Sequence, residues 1–423
     1  PPVRATDPAS LSPRVSEGFE VIAHPSLRVC RSNHSGKDKR FGQSIKHLAL
    51  RSPFKAPPKP PDKWTGLTTF GVMKKIMKTI IPSIGIAVVS GGFAPHPKPV
   101  SFRVMTYNVE NLFDCYDDIG KDDSEFLPEG KLRWTQSRYN RKLKQVASVI
   151  KAVGGPDWPA LVALVEVEND TVMNNLLSRT PLGKQSYRYV MTNSPDKRGI
   201  DVALLYRPEL FSLDHKEEYR VHFRGERNRR TRNILHAQGR LAGGDTLDVF
   251  VCHFPSRRGG VRQSDAYRHD AATLLRTKCD EILSRRHNPF ILIMGDLNSN
   301  PDESPLIETL RAGTVLPEAG KAGPGELYNL SGCPLSQIPP GTTLYKGKWE
   351  QLDHIIVSGN FLKPDSRVSY RTGSAKNVVL PYLVHSAPYN VARIAPNRTY
   401  QGMHYKGGYS DHLPVVAEFT IEP

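Results

Sequence analysis

Residues 95–423 predict an α/β domain, on three observations. Short runs of β-type residues recur, some alternating and some continuously apolar. Two longer segments carry apolar residues at helical spacing. The strand-like runs also stop on Asn, Glu, His or Asp rather than on further apolar residues. The hydrophobic share of 38% and the charged share of 24% are those of an ordinary globular chain, and 423 residues are enough for a large core.

The segments ahead of this domain read differently. Residues 1–72 are rich in Pro, Ser and Arg and lack sustained periodicity. They are expected to be a disordered tail or upstream sequence, with translation starting at Met73. Residues 73–94 follow the pattern of a secretory signal. Lys74, Lys75 and Lys78 precede the apolar run Ile80–Val89, and the stretch Gly92-Phe93-Ala94 places the small residues Gly92 and Ala94 for cleavage. The run is shorter than the ~20 residues of a membrane span and contains Pro82 and Gly85. An exported protein, periplasmic or secreted, is the expectation. The formal charge of +16 is concentrated here: residues 1–94 hold 15 Lys/Arg and 5 Asp/Glu, so the remainder, with 43 basic and 37 acidic residues, is only +6. Such a balance does not require a polyanionic partner. Five widely spaced cysteines without a CxxC pair indicate neither a zinc site nor a disulfide framework.

The elements follow in order. FRVMTYN (102–108) alternates as a strand, and a polar acidic loop follows it. Leu143, Val146, Ile150 and Val153 lie on one helical face across 137–153, which Gly154 and Gly155 end. Strands are predicted at 160–168, 199–206 and 246–254. A long helix is predicted over 264–285, with Ser264 as its N-cap. FILIMGDLN (290–298), QLDHIIVS (351–358) and LPVVAEF (413–419) complete the strands.

Polar residues cluster at these strand ends. They are Asn108, Glu166, His253, Asp296 with Asn298, Asp353, and the pair Asp411–His412 set on the Gly407–Gly408 turn. Taken singly, each is most simply a turn former or a solvated end. Six such coincidences in one chain are harder to explain that way. Carboxylates, amides and histidines are the hard-ligand and acid–base set that hydrolyses phosphate esters with Mg²⁺ or Mn²⁺.

TYNVENLFD, LVEVE, HFPSRRGG, GDLN, LDHIIVS and YSDHLPV resemble, in order, the motifs of the endonuclease/exonuclease/phosphatase superfamily, over about residues 102–420. GDLN followed by SDHLP is the specific part; TYN alone is weak. YNVENLFD, RGIDVALLYRP and HFPSRRGG look most like exported bacterial members described as endonucleases or hydrolases. The resemblance implies a four-layer α/β sandwich, two packed mixed sheets with helices outside. It implies Asn108, Glu166 and Asp411 as metal-site residues, with Glu166 the main ligand. It implies Asp296 orienting the attacking water, Asn298 orienting Asp296 and donating to the phosphate, and His253 and His412 as catalytic histidines, with Asp353 supporting His412. A histidine at 253, where abasic-site endonucleases carry tyrosine, disfavours that branch. In deoxyribonuclease I-like enzymes a Glu supports the first histidine; the nearest acid here, Asp201, is one position off.

Arg224, Arg227, Arg229, Arg230 and Arg232 crowd residues 223–235, a solvated hairpin tip or a phosphate-contacting patch in which Arg229 and Arg230 are the expected contacts. Arg257 or Arg258, just after His253, could also reach a phosphate. The acidic loop 114–125 could hold Ca²⁺, although no EF-hand spacing is present. The expectation is an exported metal-dependent phosphodiesterase, a nuclease acting on nucleic acid. The alternatives are an enzyme for a phospholipid head group or inositol phosphate, and a non-catalytic binding module of the same fold. No protein partner is implied, and a monomer is expected.

Overall fold

The computed structural model describes residues 98–257, 260–332, 339–386 and 394–423; the expected tail and signal, Cys30, Arg258 and Cys333 lie outside the described residues. In chain order the first strands are β1 (Val100–Leu112), β2 (Leu161–Val167), β3 (Arg188–Met191), β4 (Asp201–Tyr206), β5 (Phe211–Tyr219), β6 (Ile234–Leu241), β7 (Thr246–His253), β8 (Phe290–Asp296), β9 (Ala312–Gly313) and β10 (Leu327–Asn329). They continue with β11 (Thr343–Tyr345), β12 (Lys348–Glu350), β13 (Asp353–Ser358), β14 (Val368–Tyr370), β15 (Lys376–Asn377), β16 (Val384–Ser386), β17 (Ile394–Pro396), β18 (Tyr400–Gln401), β19 (His404–Tyr405) and β20 (Val415–Ile421). The α-helices are α1 (Gln136–Gly154), α2 (Asp170–Ser178) and α3 (Val261–Arg285).

Two mixed sheets result. One runs β14–β20–β1–β2–β4–β3, with β15 also on β20; the other runs β5–β6–β7–β8–β13–β10–β9. The pairs β1–β2 and β7–β8 are parallel, whereas β20, β4 and β13 join their neighbours antiparallel. Side chains alternate across a strand, so each sheet buries two faces. Val104, Ala163, Val165, Val202 and Leu204 of the first sheet pack against Val249, Val251, Leu292, Met294 and Ile355 of the second. The alternate residues Met105, Tyr107, Val162, Leu164 and Leu205 face Leu143, Val146 and Ile150 of α1 and Leu176 of α2. Phe250, Cys252, Ile291 and Ile293 face Ala271, Leu275 and Cys279 of α3. The layers are therefore helix, sheet, sheet, helix, as expected. Strands buried on both faces explain why 160–168 and 290–296 read as continuous apolar runs.

Some elements escaped the sequence reading. The middle of β5 is exposed and charged, and β6 (ILHAQGRL) carries His236, Gln238 and Arg240, so neither shows a long apolar run. The helix α2 is short; Asn169 caps it, its Oδ1 accepting from the Val172 amide at 3.0 Å. The helix α3 starts at Val261, earlier than expected, with Gly260 at the N-cap. Ser264 lies one turn inside, its hydroxyl donating back to the Gly260 carbonyl at 2.8 Å. Cys115, Cys252 and Cys279 are buried free thiols.

Candidate active site

Register assembles the centre. Parallel pairing of β7 and β8 sets His253 beside Asp296, and antiparallel pairing of β13 sets Asp353 on the other side of the same residue. Gly295 permits this approach. Its φ is 137°, and a Cβ there would lie 1.9 Å from the Cys252 carbonyl oxygen. From the first sheet come Asn108 and Glu166, each at a register irregularity: β1–β2 slips between Asn108 and Leu112, and β2–β4 between Val165 and Val167. Glu110 (φ 54°), Asn111 (φ 53°), Glu166 (φ 68°) and Asn298 (φ 49°) all adopt left-handed backbone although none is glycine. Such residues cost about 1–3 kcal/mol each and gather where function holds them.

Hydrogen bonds fix the acids. Asp296 Oδ2 accepts from Asn108 Nδ2 at 3.1 Å, and its Oδ1 from the Asn298 amide at 2.9 Å. Asn298 Nδ2 donates to the Phe254 carbonyl at 3.0 Å, so it is the backbone amide of Asn298 that orients Asp296. Glu166 Oε2 accepts from the Asn111 amide at 3.0 Å. His412 Nδ1 lies 2.6 Å from Asp353 Oδ2. Around Asp296 Oδ2 stand His253 Nε2 at 3.8 Å and His412 Nε2 at 4.0 Å; His253 Nε2 is also 3.9 Å from Glu166 Oε1. These gaps exceed a hydrogen bond and leave room for a bridging atom. The turn before His412 is hooked to the end of β1: Ser410 Oγ donates to the Asn108 carbonyl at 2.7 Å and accepts from the His412 amide at 3.0 Å. A Cβ on Gly408 would meet the Asn397 carbonyl at 2.1 Å, so this turn also needs glycine.

The two histidines are driven apart electrostatically. Burial lowers the His253 pKa well below its usual value, and Arg232, Arg198 and His412 push it the same way, so the ring is neutral. Burial would lower His412 too, but the Asp353 carboxylate, with Asp296 and Asp411 adding to it, outweighs burial and raises that pKa well above its usual value. Burial, then the charge of Asp353, pushes Asp296 up to about 7. One imidazole and one imidazolium thus flank a carboxylate poised near neutrality.

Other expected residues lie elsewhere. Asp201 Oδ1 accepts from Thr192 Oγ1 at 2.5 Å and from the Ser194 amide at 2.9 Å, and no hydrogen bond or ion pair joins it to His253. Asp411 Oδ2 receives Arg398 Nη2 at 2.7 Å. The donors of Arg257 are committed to the Asn298 carbonyl (3.0 Å), Glu350 (2.9 Å) and Glu303 (2.8 Å), so it braces the loop after β8 instead of offering itself to a phosphate. Arg229 and Arg230 sit in the exposed β5–β6 connection; Arg229 stacks over the Tyr267 ring at 3.8 Å and reaches Glu226 at 3.2 Å. Arg232 differs from its neighbours. It is buried, its Nη2 donates to the Phe254 carbonyl at 2.6 Å, and its charge bears on His253. Nothing along the chain signals that one of five clustered arginines turns inward. It also left Arg198, Ser410 and Glu110 unassigned, although Glu110 lies inside the quoted TYNVENLFD. Glu110 Oε2 accepts from the Thr399 amide at 2.6 Å, and burial first, then Asp411, pushes it up to about 7.

The centre suits a hard divalent cation. Asp296, Asp353 and His412 each bring a ligand atom within 4.8 Å of the others. Asp353 Oδ1 is buried with no hydrogen-bond partner, and no hydrogen bond occupies Glu166 Oε1 among the described residues. Oxygen donors packed this closely need positive charge between them. Of the donors present, Glu166, Asn108, Asp296 and Asp353 are the oxygen set, while His412 Nδ1 is occupied by Asp353.

Fold and site together define a two-sheet α/β protein with a carboxylate–imidazole centre at the strand ends of both sheets. The profile of the Endonuclease/Exonuclease/phosphatase family matches residues 103–420, and the chain belongs to that family, whose members are in general metal-dependent phosphodiesterases and nucleases. Among solved structures it is similar to an endonuclease/exonuclease/phosphatase family protein from Bacteroides thetaiotaomicron, at 15% identity and TM-score 0.48, covering 77% of this chain and 100% of that one. It is also similar to the catalytic domain of human Nocturnin with bound sulfate, at 18% identity and TM-score 0.45, covering 76% and 94%. A third is D. rerio TDP2 complexed with a single-strand DNA product, at 14% identity and TM-score 0.45, covering 75% and 98%. Among curated protein sequences, none matches the chain.

Proposed function

We propose that this protein is an exported, Mg²⁺- or Mn²⁺-dependent phosphodiesterase that hydrolyses nucleic-acid backbones as an endonuclease. The observation that carries the reading is the pairing of Asp296 with a neutral His253 and a charged His412, within 3.8 Å and 4.0 Å, beside oxygen donors left open to a cation. When bound, the cation supplies positive charge to the phosphate and the leaving oxygen. Asp296, held by Asn108 and Asn298, accepts a proton from the attacking water and fixes its direction. His412, kept protonated by Asp353, donates from Nε2 to a phosphate oxygen as charge builds there. His253, kept neutral, presents a hydrogen bond without adding a second cation, and Arg198 and Arg232 place positive charge behind it. Lys197, Arg227, Arg229 and Arg230 line a shallow hollow in which a nucleic-acid strand would find phosphate partners.

A phospholipid head group or inositol phosphate is the second reading, and the engagement of Arg257, Arg224 and Arg229 by carboxylates favours it. Such pairing reduces what a polyanion can recruit. A non-catalytic module is disfavoured, since each acid–base position in the centre is filled. The signal at 73–94 and a monomeric state belong to the same proposal. An activity panel tests it: plasmid, RNA, sphingomyelin and inositol phosphates, each with Mg²⁺, Mn²⁺ or EDTA. Equal turnover in EDTA overturns the metal-dependent scheme, and activity restricted to the lipid or inositol substrates overturns the nuclease.

A further inference from the structure

A second group of carboxylates stands in the acidic loop after β1. Asp118, Asp123 and Glu168 each bring an oxygen within 4.8 Å of the others. Asp123 is 1% exposed and Glu168 3%. One oxygen of each is taken: Asp118 Oδ2 accepts from Asn169 Nδ2 at 3.2 Å, Asp123 Oδ2 from the Asp118 amide at 2.9 Å, and Glu168 Oε2 from the Asp114 amide at 2.7 Å. The second oxygen of Asp123, Oδ1, is buried with no hydrogen-bond partner.

Charge is the second observation. Asp114 and Asp117 stand close enough to add their own negative charge. No Lys, Arg or His among the described residues forms an ion pair with Asp118, Asp123 or Glu168. Lys121, in the same loop, sends its ammonium instead to the carbonyls of Ser194 (2.9 Å) and Asp196 (3.4 Å). Carboxylates taken out of water without a counter-charge are strongly unfavourable. The donors are oxygens, and the nearby Cys115 thiol is turned to the Trp134 carbonyl. That donor set and an irregular loop suit Ca²⁺, which accepts many oxygen ligands in loose geometry.

We propose that Asp118, Asp123 and Glu168 form a Ca²⁺ site, separate from the centre around Asp296, that fastens the loop after β1 to the end of β2. Those segments already meet where the Glu168 amide donates to the Leu112 carbonyl at 3.2 Å. Glu166, two residues before Glu168, and Asn111, just ahead of the loop, would be held by the same clamp.

The test uses the full chain stripped with EDTA, carrying Glu166→Gln so that the other metal centre is weakened, and titrates Ca²⁺ by calorimetry and thermal unfolding. One equivalent should bind. At about 100 times its dissociation constant, Ca²⁺ should raise the folded-to-unfolded ratio about 100-fold. Adding Asp118→Asn or Asp123→Asn should weaken binding about tenfold or more. In EDTA those same variants should unfold no earlier than their parent, because an uncompensated charge has gone. Absence of Ca²⁺ binding, unchanged binding in both Asn variants, or equal destabilisation with and without Ca²⁺ overturns the site. If Glu166→Gln does not fold, the wild-type background gives the second reading: each Asn variant must weaken one Ca²⁺ equivalent by the same margin, about tenfold or more.

Discussion

Asp353→Asn isolates the element on which the proposed chemistry depends most. Asp353 is fully buried, and its Oδ2 lies 2.6 Å from His412 Nδ1. Removing one partner of a buried ion pair costs about 3–5 kcal/mol, and Asn keeps an acceptor, so a loss near 3 kcal/mol is expected. His412 then loses the charge that opposed its burial, and its pKa falls. The sign follows from linkage. In the wild type the folded pKa is raised, so the pair's stabilisation is complete below the unfolded histidine value and fades as pH rises through the higher folded value. In the variant, imidazolium survives only at lower pH. Hydrolysis of a nitrophenyl phosphodiester at neutral pH should drop about 10²–10⁴-fold, with partial recovery on acidification. Chemical denaturation gives the stability, and the pH–rate profile gives the titration. A wild-type rate with an unmoved profile would refute the imidazolium role.

Glu166→Gln should weaken Mg²⁺ binding and abolish most turnover while leaving the unfolding transition in place; calorimetry with Mg²⁺ checks it, and unaltered binding counts against Glu166 as a ligand. His253→Ala should lower turnover about 10²-fold or more. Arg229→Ala with Arg230→Ala should flatten the log–log salt dependence of DNA binding by roughly one or two units, at a slope near −0.9 per phosphate, with nitrophenyl ester turnover unchanged. A wild-type slope near zero would make the β5–β6 tip a solvated loop. Burial pushes Asp201 up to about 6 against the three donors it accepts. Stability should therefore fall as pH rises between about 4 and the folded value. Asp201→Asn should flatten that part of the stability curve, and an unchanged slope would show that Asp201 does not titrate there.

Much of this protein is legible along the chain. Period-two alternation and doubly buried runs locate β1, β2, β4, β7, β8, β13 and β20, because those strands bury regular faces whatever their neighbours are. The strand-end residues Asn108, Glu166, His253, Asp296, Asp353 and His412 are visible because polar groups where apolar runs stop are local facts. Exposed β5 and polar β6 show no apolar run, because the middle of β5 faces solvent and the polar His236 of β6 is buried against Tyr219 and Asp248. Tertiary structure alone decided which charges are free. Arg257 lies four residues after His253, in the loop that follows β7, yet Glu303 and Glu350 claim it. Asp411 neighbours His412 but turns to Arg398, and Arg232 alone among its cluster is buried. The loop at 114–125 shows its acids in the sequence, but only folding brings Glu168 beside Asp118 and Asp123 and leaves Lys121 facing carbonyls. Residue type sets which charges a chain carries, whereas pairing and desolvation depend on distances of a few ångströms between segments far apart in sequence.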